Sequence, residues 1–226
     1  MCIINYPGAR QYFTDIQMNN PQENIERFEE IVAEFAYAEY AIATDSCTNA
    51  IFLSLKYYEH IYESSHRPAI KVPKQTYLSV PQAVMHAGWE VEFVDDRWVG
   101  EYQLDPYPIL DSATRFEEDM YSRTGQTYPL QCISFHVKKP LPIGRGGMIL
   151  TDDKDAMEWL KQARYDGRKG AMFNDIDDIE VLGYHMYMTP EQAARDIELF
   201  YGIDEAKGMS YNDYPDVSEY SCFQSK

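Results

Sequence analysis

The sequence predicts an α/β fold, with a mostly parallel sheet flanked by helices. Two observations carry this. Apolar runs of strand length alternate with segments of helical periodicity over most of the chain. Such alternation is the signature of strands joined through helices. Finally, the conspicuous polar residues fall at the carboxyl ends of the strand-like runs, the rim where α/β sheets bind ligands.

The elements follow in order. Asn20 can cap a first helix, Pro21 suits its first position, and Glu23 can complete a capping box. Ile25, Phe28, Val32 and Phe35 then recur at helical spacing. "EYAIATDS" (39–46) reads as a buried strand and "CTNAIFLSLKYYEHIY" (47–62) as a helix starting directly after it. "PAIKVPKQT" (68–76) is a second strand, and "SVPQAVMHAG" (79–88) a short helix closed by Gly88. Further strands are expected at 89–96, 107–113, 130–136 and 146–152. Helices are expected at 153–165 and, with Thr189 as cap and Pro190 next, at 189–201. One domain over 1–202 and a polar, tyrosine-rich, irregular tail over 203–226 complete the expected organisation.

With 226 residues and 45% apolar content, the chain can bury a real core. A net charge of −17, spread along the sequence, disfavours non-specific binding to nucleic acid or anionic membrane. The four cysteines show neither zinc-site spacing nor disulfide-scaffold density, which reads as reduced thiols in a cytoplasmic protein. The sequence opens without a basic-then-apolar stretch and holds no run of membrane-spanning length, so neither a signal segment nor a membrane span is expected.

Each candidate site has an ordinary reading beside a chemical one. "TDSCTNA" (44–50) brings a strand into a helix start, where free N–H groups and the hydroxyls of Ser46 and Thr48 favour an anion. Asp45 or Ser46 would serve equally as a plain cap. Asp111 ends the apolar strand "PILD" and could hold a cationic ring nitrogen, bind a metal or cap a helix. Lys139 follows a strand and precedes Pro140. In a crowded, partly buried site a lysine loses proton affinity and becomes a nucleophilic amine; otherwise it is a solvated surface charge. "GRGG" (144–147) reads as a turn. Taken together, an anion-binding helix start, an aromatic at Tyr77, Asp111, then Ser134 and Lys139 form a set suited to pyridoxal phosphate.

Five blocks in order carry a family resemblance: "FEEIVAEFAYAEYAIATDSCTNAIFL", "VPKQTYLSVPQAVMHAGWEVEFVDD", "LDSATRF", "SFHVKKPLPIGRGGMILTDD" and "LGYHMYMTPEQAA". On them the chain resembles the DegT/DnrJ/EryC1/StrS sugar aminotransferases. These have the large domain of the fold-type I pyridoxal-phosphate-dependent transferases, here in reduced form. The family's aldimine lysine lies five residues after the serine of its "SF" pair and five before the first glycine of its glycine-rich turn. Ser134 and Gly144 both point to Lys139, leaving Lys138 as a solvent-facing neighbour.

The resemblance implies that Lys139 forms the internal aldimine and Asp111 pairs with the pyridinium nitrogen, these two being the catalytic residues. Thr48 and Ser134, with the backbone from Ser46 through Cys47 to Thr48, would hold the phosphate, and Tyr77 would stack on the ring. Thr114 stands where the family has glutamine or histidine. His185 stands where an asparagine reaches the neighbouring subunit's phosphate in the family's dimer. Further departures are Cys47 for a glycine, Arg145 for a glutamate and Tyr187 for an arginine. Only 15 positions separate Asp96 from Asp111, where relatives carry a further strand and helix, and the family's C-terminal domain has no counterpart here.

The implied function is transfer of an amino group from glutamate to a nucleotide-linked keto-sugar by a cytoplasmic homodimer with a composite site. Sugar dehydration on the same cofactor is one alternative, though dehydrating relatives replace the lysine by histidine. A non-catalytic binding or assembly subunit is the other, motivated by Cys47, Thr114, Arg145 and the two missing segments.

Overall fold

The helical periodicity near the start of the chain becomes α1 (Gln22–Ala36), which buries Ile25, Phe28 and Val32 completely. In this computed structural model residues 22–62, 67–169, 178–202 and 214–224 are described. The capping proposed for Asn20 and Pro21, and most of the expected tail, lie outside them. β1 (Tyr40–Thr44) leads within two residues into α2 (Cys47–Ile61). The order continues with β2 (Ile70–Pro73), α3 (Ser79–His86), β3 (Val91–Val94), β4 (Tyr102–Gln103), β5 (Ile109–Asp111), β6 (Leu130–Ser134) and β7 (Gly147–Thr151). α4 (Lys154–Ala163) and α5 (Pro190–Tyr201) complete it. Asp153 caps α4, and Thr189 caps α5 by accepting the Gln192 N–H at 3.3 Å.

The α/β architecture is as expected, but the sheet is mixed rather than mostly parallel. Five strands lie in the order β1-β7-β6-β5-β4, and β2 pairs with β3 in a separate parallel ribbon. Within the five, only β5 and β6 are parallel neighbours. The chain doubles back between β6 and β7 through the glycine turn, so β7 runs antiparallel to β6 on one side and to β1 on the other. β4 was not foreseen. It pairs antiparallel with β5, Tyr102 opposite Asp111, in the place where the 15-residue spacing had implied a missing unit. Beyond it, the Asp105 carbonyl accepts the Lys71 N–H of β2 at 2.9 Å. This short segment therefore links the two sheets.

Because β1, β5 and β6 run the same way, their carboxyl ends share one rim. Both faces of the sheet are covered, as the continuous apolar runs require. Ile149 of β7 packs with Ile42, Cys132 and α2 on one face. Its neighbours Met148 and Leu150 pack with Phe28, Ile133 and α5 on the other. On the edge strand β1, Ala43 is satisfied by side chains: its N–H donates to Glu29 Oε1 at 2.8 Å and its carbonyl accepts from Arg164 at 2.5 Å. Arg164 and Glu29 also form a buried ion pair with each other. Among the described residues no helix is long and apolar enough to cross a membrane.

Residues 214–224 fold back onto the β2–β3 ribbon. The Val217 N–H donates to the Lys74 carbonyl at 2.9 Å, its side chain is buried, and Phe223 meets Phe93 with ring centroids 5.5 Å apart.

One carboxylate of the core is poorly provided for. Asp196 of α5 is fully buried, and neither oxygen has a hydrogen-bond partner among the described residues. Burial raises its pKa to about 8, and Arg195 offsets only part of this. The folded state therefore holds a proton that the unfolded chain releases near pH 4. Stability falls as pH rises from that point through about 8. Raising the pH from 5 to 8 should cost on the order of 3 kcal/mol through this group. Urea denaturation across that range should show the loss, and Asp196→Asn should flatten it.

Candidate functional site

A cleft of about 560 Å³ opens at the shared strand-end rim. Ser46, Cys47 and Thr48 enter it after β1, Tyr77 after β2, Asp111 and Thr114 from the end of β5, and Ser134 and Lys139 from the end of β6. Four strand ends thus contribute, which explains why polar residues punctuated those particular runs.

One end of the cleft is the start of α2. Ser46 caps the helix by accepting the Asn49 N–H at 3.3 Å. The preceding turn's N–H groups have no acceptor within the helix, so the cap and the anion-binding readings of this segment are compatible. Thr48 Oγ1 lies 2.6 Å from Ser79 Oγ, so the starts of α2 and α3 meet here. Ser79 lines the cleft as well and was not singled out in the sequence, where it looked only like the first residue of a helix. Gly147 fixes the position of α2: a Cβ there would overlap the backbone of Ser46 and Cys47. Gly146 beside it has φ 141°, a backbone conformation that favours glycine. The glycine-rich turn is therefore also a close contact, not only a reversal.

Cys47 replaces a glycine of the family pattern. Its thiol is buried, and desolvation, then the nearby Asp111, push its pKa well up. Both influences favour the neutral thiol over the thiolate. Arg145, another departure, is not a loose cation in the site. Its Nη2 lies 3.0 Å from Asp45 Oδ2 and its Nε donates to the Asp45 carbonyl at 3.2 Å.

The floor is Asp111, buried and with one donor to each carboxylate oxygen. Oδ1 accepts the Ala113 N–H at 3.0 Å, and Oδ2 accepts the Tyr102 hydroxyl at 2.7 Å. Tyr102 in turn lies 2.6 Å from Thr76 Oγ1. Burial raises the pKa of Asp111, while the Tyr102 bond, the Ala113 N–H and the charge of Lys139 oppose the rise. Each carboxylate oxygen can still accept one more hydrogen bond. A cation arriving over this floor would meet a carboxylate already stripped of water.

Lys139 is half-buried and its Nζ donates to the Tyr214 hydroxyl at 2.9 Å. A turn in which the Lys139 N–H donates to the His136 carbonyl at 2.8 Å folds the segment back over the cleft. Lys138 is exposed at the rim. Tyr77 forms a wall and is 58% exposed, leaving its ring accessible from the cleft. Thr114 is occupied, its hydroxyl donating to the Gly100 carbonyl at 2.9 Å. The structure does not bring His185 to this cleft. It lies exposed beyond β1, with Nδ1 3.2 Å from Asp166 Oδ2. Tyr102 and Tyr214, like Ser79, belong to this candidate site and were missed by sequence reasoning. The first sits in a two-residue strand, and the second in a tail without periodicity.

With this geometry in hand, comparison with known proteins is informative. The sequence profile of the DegT/DnrJ/EryC1/StrS aminotransferase family matches the chain in two stretches, 9–115 and 107–206. UDP-4-amino-4,6-dideoxy-N-acetyl-beta-L-altrosamine transaminase of Campylobacter jejuni is 21% identical, over 84% of this chain and 58% of that relative. The chain thus spans little more than half of the relative's length. Among solved structures, Bacillus subtilis NtdA with bound cofactor PMP is similar, with a TM-score of 0.60, 17% identity, and coverage of 88% of this chain and 54% of that one. A variant of GDP-4-keto-6-deoxymannose-3-dehydratase, ColD, with bound GDP-perosamine gives a TM-score of 0.60 and 15% identity over 78% and 60%. These structural likenesses show the fold, and the profile match over most of the sequence shows the kinship. The chain belongs to the DegT/DnrJ/EryC1/StrS aminotransferase family.

Proposed function

We propose that this cleft binds pyridoxal phosphate and that the chain transfers an amino group from glutamate to the keto group of a nucleotide-linked sugar. The observation that carries the reading is the buried Asp111 carboxylate, held by Tyr102 and by the backbone at residue 113, in one cleft with the half-buried amine of Lys139. The donor set fits the cofactor. The start of α2, with Thr48, Ser79 and Ser134, offers N–H groups and hydroxyls to a phosphate. Asp111 offers a desolvated negative charge to a protonated ring nitrogen, Tyr77 an accessible aromatic face, and Lys139 an amine to an aldehyde.

When bound, the cofactor supplies an electron sink for exchange of an amino group. The protein's part is positional and electrostatic. Burial raises the pKa of Asp111, and Tyr102 and the Ala113 N–H oppose that rise by favouring the carboxylate, the form that would hold a proton on a facing nitrogen. Lys139 Nζ is the group placed to hold or release a proton over that floor.

The family membership and the transaminase relative support the sugar substrate. The ColD likeness keeps dehydration as the second reading. A lysine at 139, where dehydrating relatives carry histidine, favours amino transfer. The same reading has the chain act in the cytoplasm as a homodimer over a domain of 1–202, with exposed His185 directed to a partner copy's cleft.

Two outcomes check this. Protein loaded with pyridoxal phosphate and mixed with L-glutamate should release one 2-oxoglutarate per site in a single turnover, and Lys139→Ala should release none. Absence of 2-oxoglutarate from the loaded wild type would contradict amino transfer. Tyr102→Phe removes the donor to Asp111 and should weaken pyridoxal phosphate binding about tenfold, on the order of one buried hydrogen bond, measured by equilibrium titration.

A further inference from the structure

We propose that Tyr214 is a positioning residue of this cleft, a hydroxyl fastened to the Lys139 amine by the C-terminal strap 214–224, which restrains that amine from reacting with aldehydes. The inference deepens the functional reading and takes its purpose from it, but its test needs no cofactor.

The strap is firmly anchored close to Tyr214. Asp216 pairs with Gln75, and the Val217 N–H donates to the Lys74 carbonyl at 2.9 Å. Asp216 Oδ1 accepts both the N–H and the hydroxyl of Ser218, at 2.9 and 2.5 Å, closing the turn. Val217 is buried, and Phe223 holds the far end against Phe93. Only Pro215 separates the strand-like anchor at Asp216 from Tyr214, so the ring has little freedom. It is further confined between two aromatics. Trp98 lies nearly parallel, with centroids 6.2 Å apart and planes 24° from each other, and Tyr77 lies 6.1 Å away on the cleft wall.

From this position the hydroxyl meets Lys139 Nζ at 2.9 Å. A phenol is both donor and acceptor. It accepts from the ammonium form, and it donates to the lone pair of the neutral amine. In the first case it holds the ammonium group in place; in the second it covers the lone pair that an aldehyde needs. Either way an aldehyde must displace the Tyr214 hydroxyl. Lys138 next door is exposed and lies outside this contact, which makes it an internal control.

The experiment is reductive methylation of cofactor-free protein with formaldehyde and cyanoborohydride, followed site by site by mass spectrometry between pH 6 and 10. In Tyr214→Phe, Lys139 should be labelled about tenfold faster than in the wild type, the scale of one lost hydrogen bond to a charged group. The dependence of its rate on pH should also differ from that of the wild type, while Lys138 is unchanged. Val217→Ser loosens the strap with Tyr214 intact and should move Lys139 in the same direction. An identical Lys139 rate and pH profile in wild type and Tyr214→Phe would overturn the proposal. So would equal acceleration of Lys138 and Lys139, which would mark a general loosening. Failure of the protein to bind pyridoxal phosphate would remove the functional reading and leave this result standing.

Discussion

The hydrogen bond from the Tyr102 hydroxyl to Asp111 is the interaction on which the rest of the site depends. A carboxylate taken out of water is costly unless donors replace the water. Asp111 has two, and the side-chain donor comes from β4, a strand of two residues. The same stretch closes the gap between the sheets: the Leu104 N–H donates to the Ile109 carbonyl at 2.8 Å, and the Asp105 carbonyl accepts from Lys71 of β2 at 2.9 Å. Thr76, just beyond β2, completes the link through the Tyr102 hydroxyl. A short crossing from β3 to β5 therefore does two things at once. It joins the ribbon to the sheet, and it stabilises the charge at the floor of the cleft.

A second constraint sets the opposite wall. The start of α2 rests directly on Gly147 at the beginning of β7, with no space for a Cβ between them. Gly147 also pairs with Thr44 of β1 and Ser134 of β6. The helix start, the Ser134 hydroxyl and the end of β1 are thus located by one backbone position. The rim follows from strand direction: β1, β5 and β6 point the same way although β7, between β1 and β6, runs against them. Side chains delivered from separated parts of the chain converge because their strands end on one edge.

Much of this was legible in the sequence, for local reasons. The pair Asp45 and Ser46 announces α2, which Ser46 proves to cap, and Thr189 announces α5, because capping chemistry is local. Asp111 and Ser134 stand out because each ends an apolar run, whereas Lys139 was preferred to Lys138 only through the resemblance to the family pattern. Strand direction was less legible. It depends on whether a connection crosses over or folds back, and the short reversal between β6 and β7 was read as a turn without its consequence for the sheet. Tyr102 was hidden because a two-residue strand carries no period. Tyr214 and Val217 were hidden because their roles arise from contacts with residues distant in sequence, Lys139 and Lys74. The Arg145–Asp45 pair belongs to the same class, since two charges 100 positions apart declare nothing until the fold brings them together.

The most direct test of the central claim, that Lys139 over an Asp111 floor takes pyridoxal phosphate, is the visible absorption spectrum of the purified protein titrated with that compound beside a Lys139→Ala control. The account predicts a saturable band in the wild type that is missing from the variant. No band in the wild type, or the same band in both proteins, would contradict it.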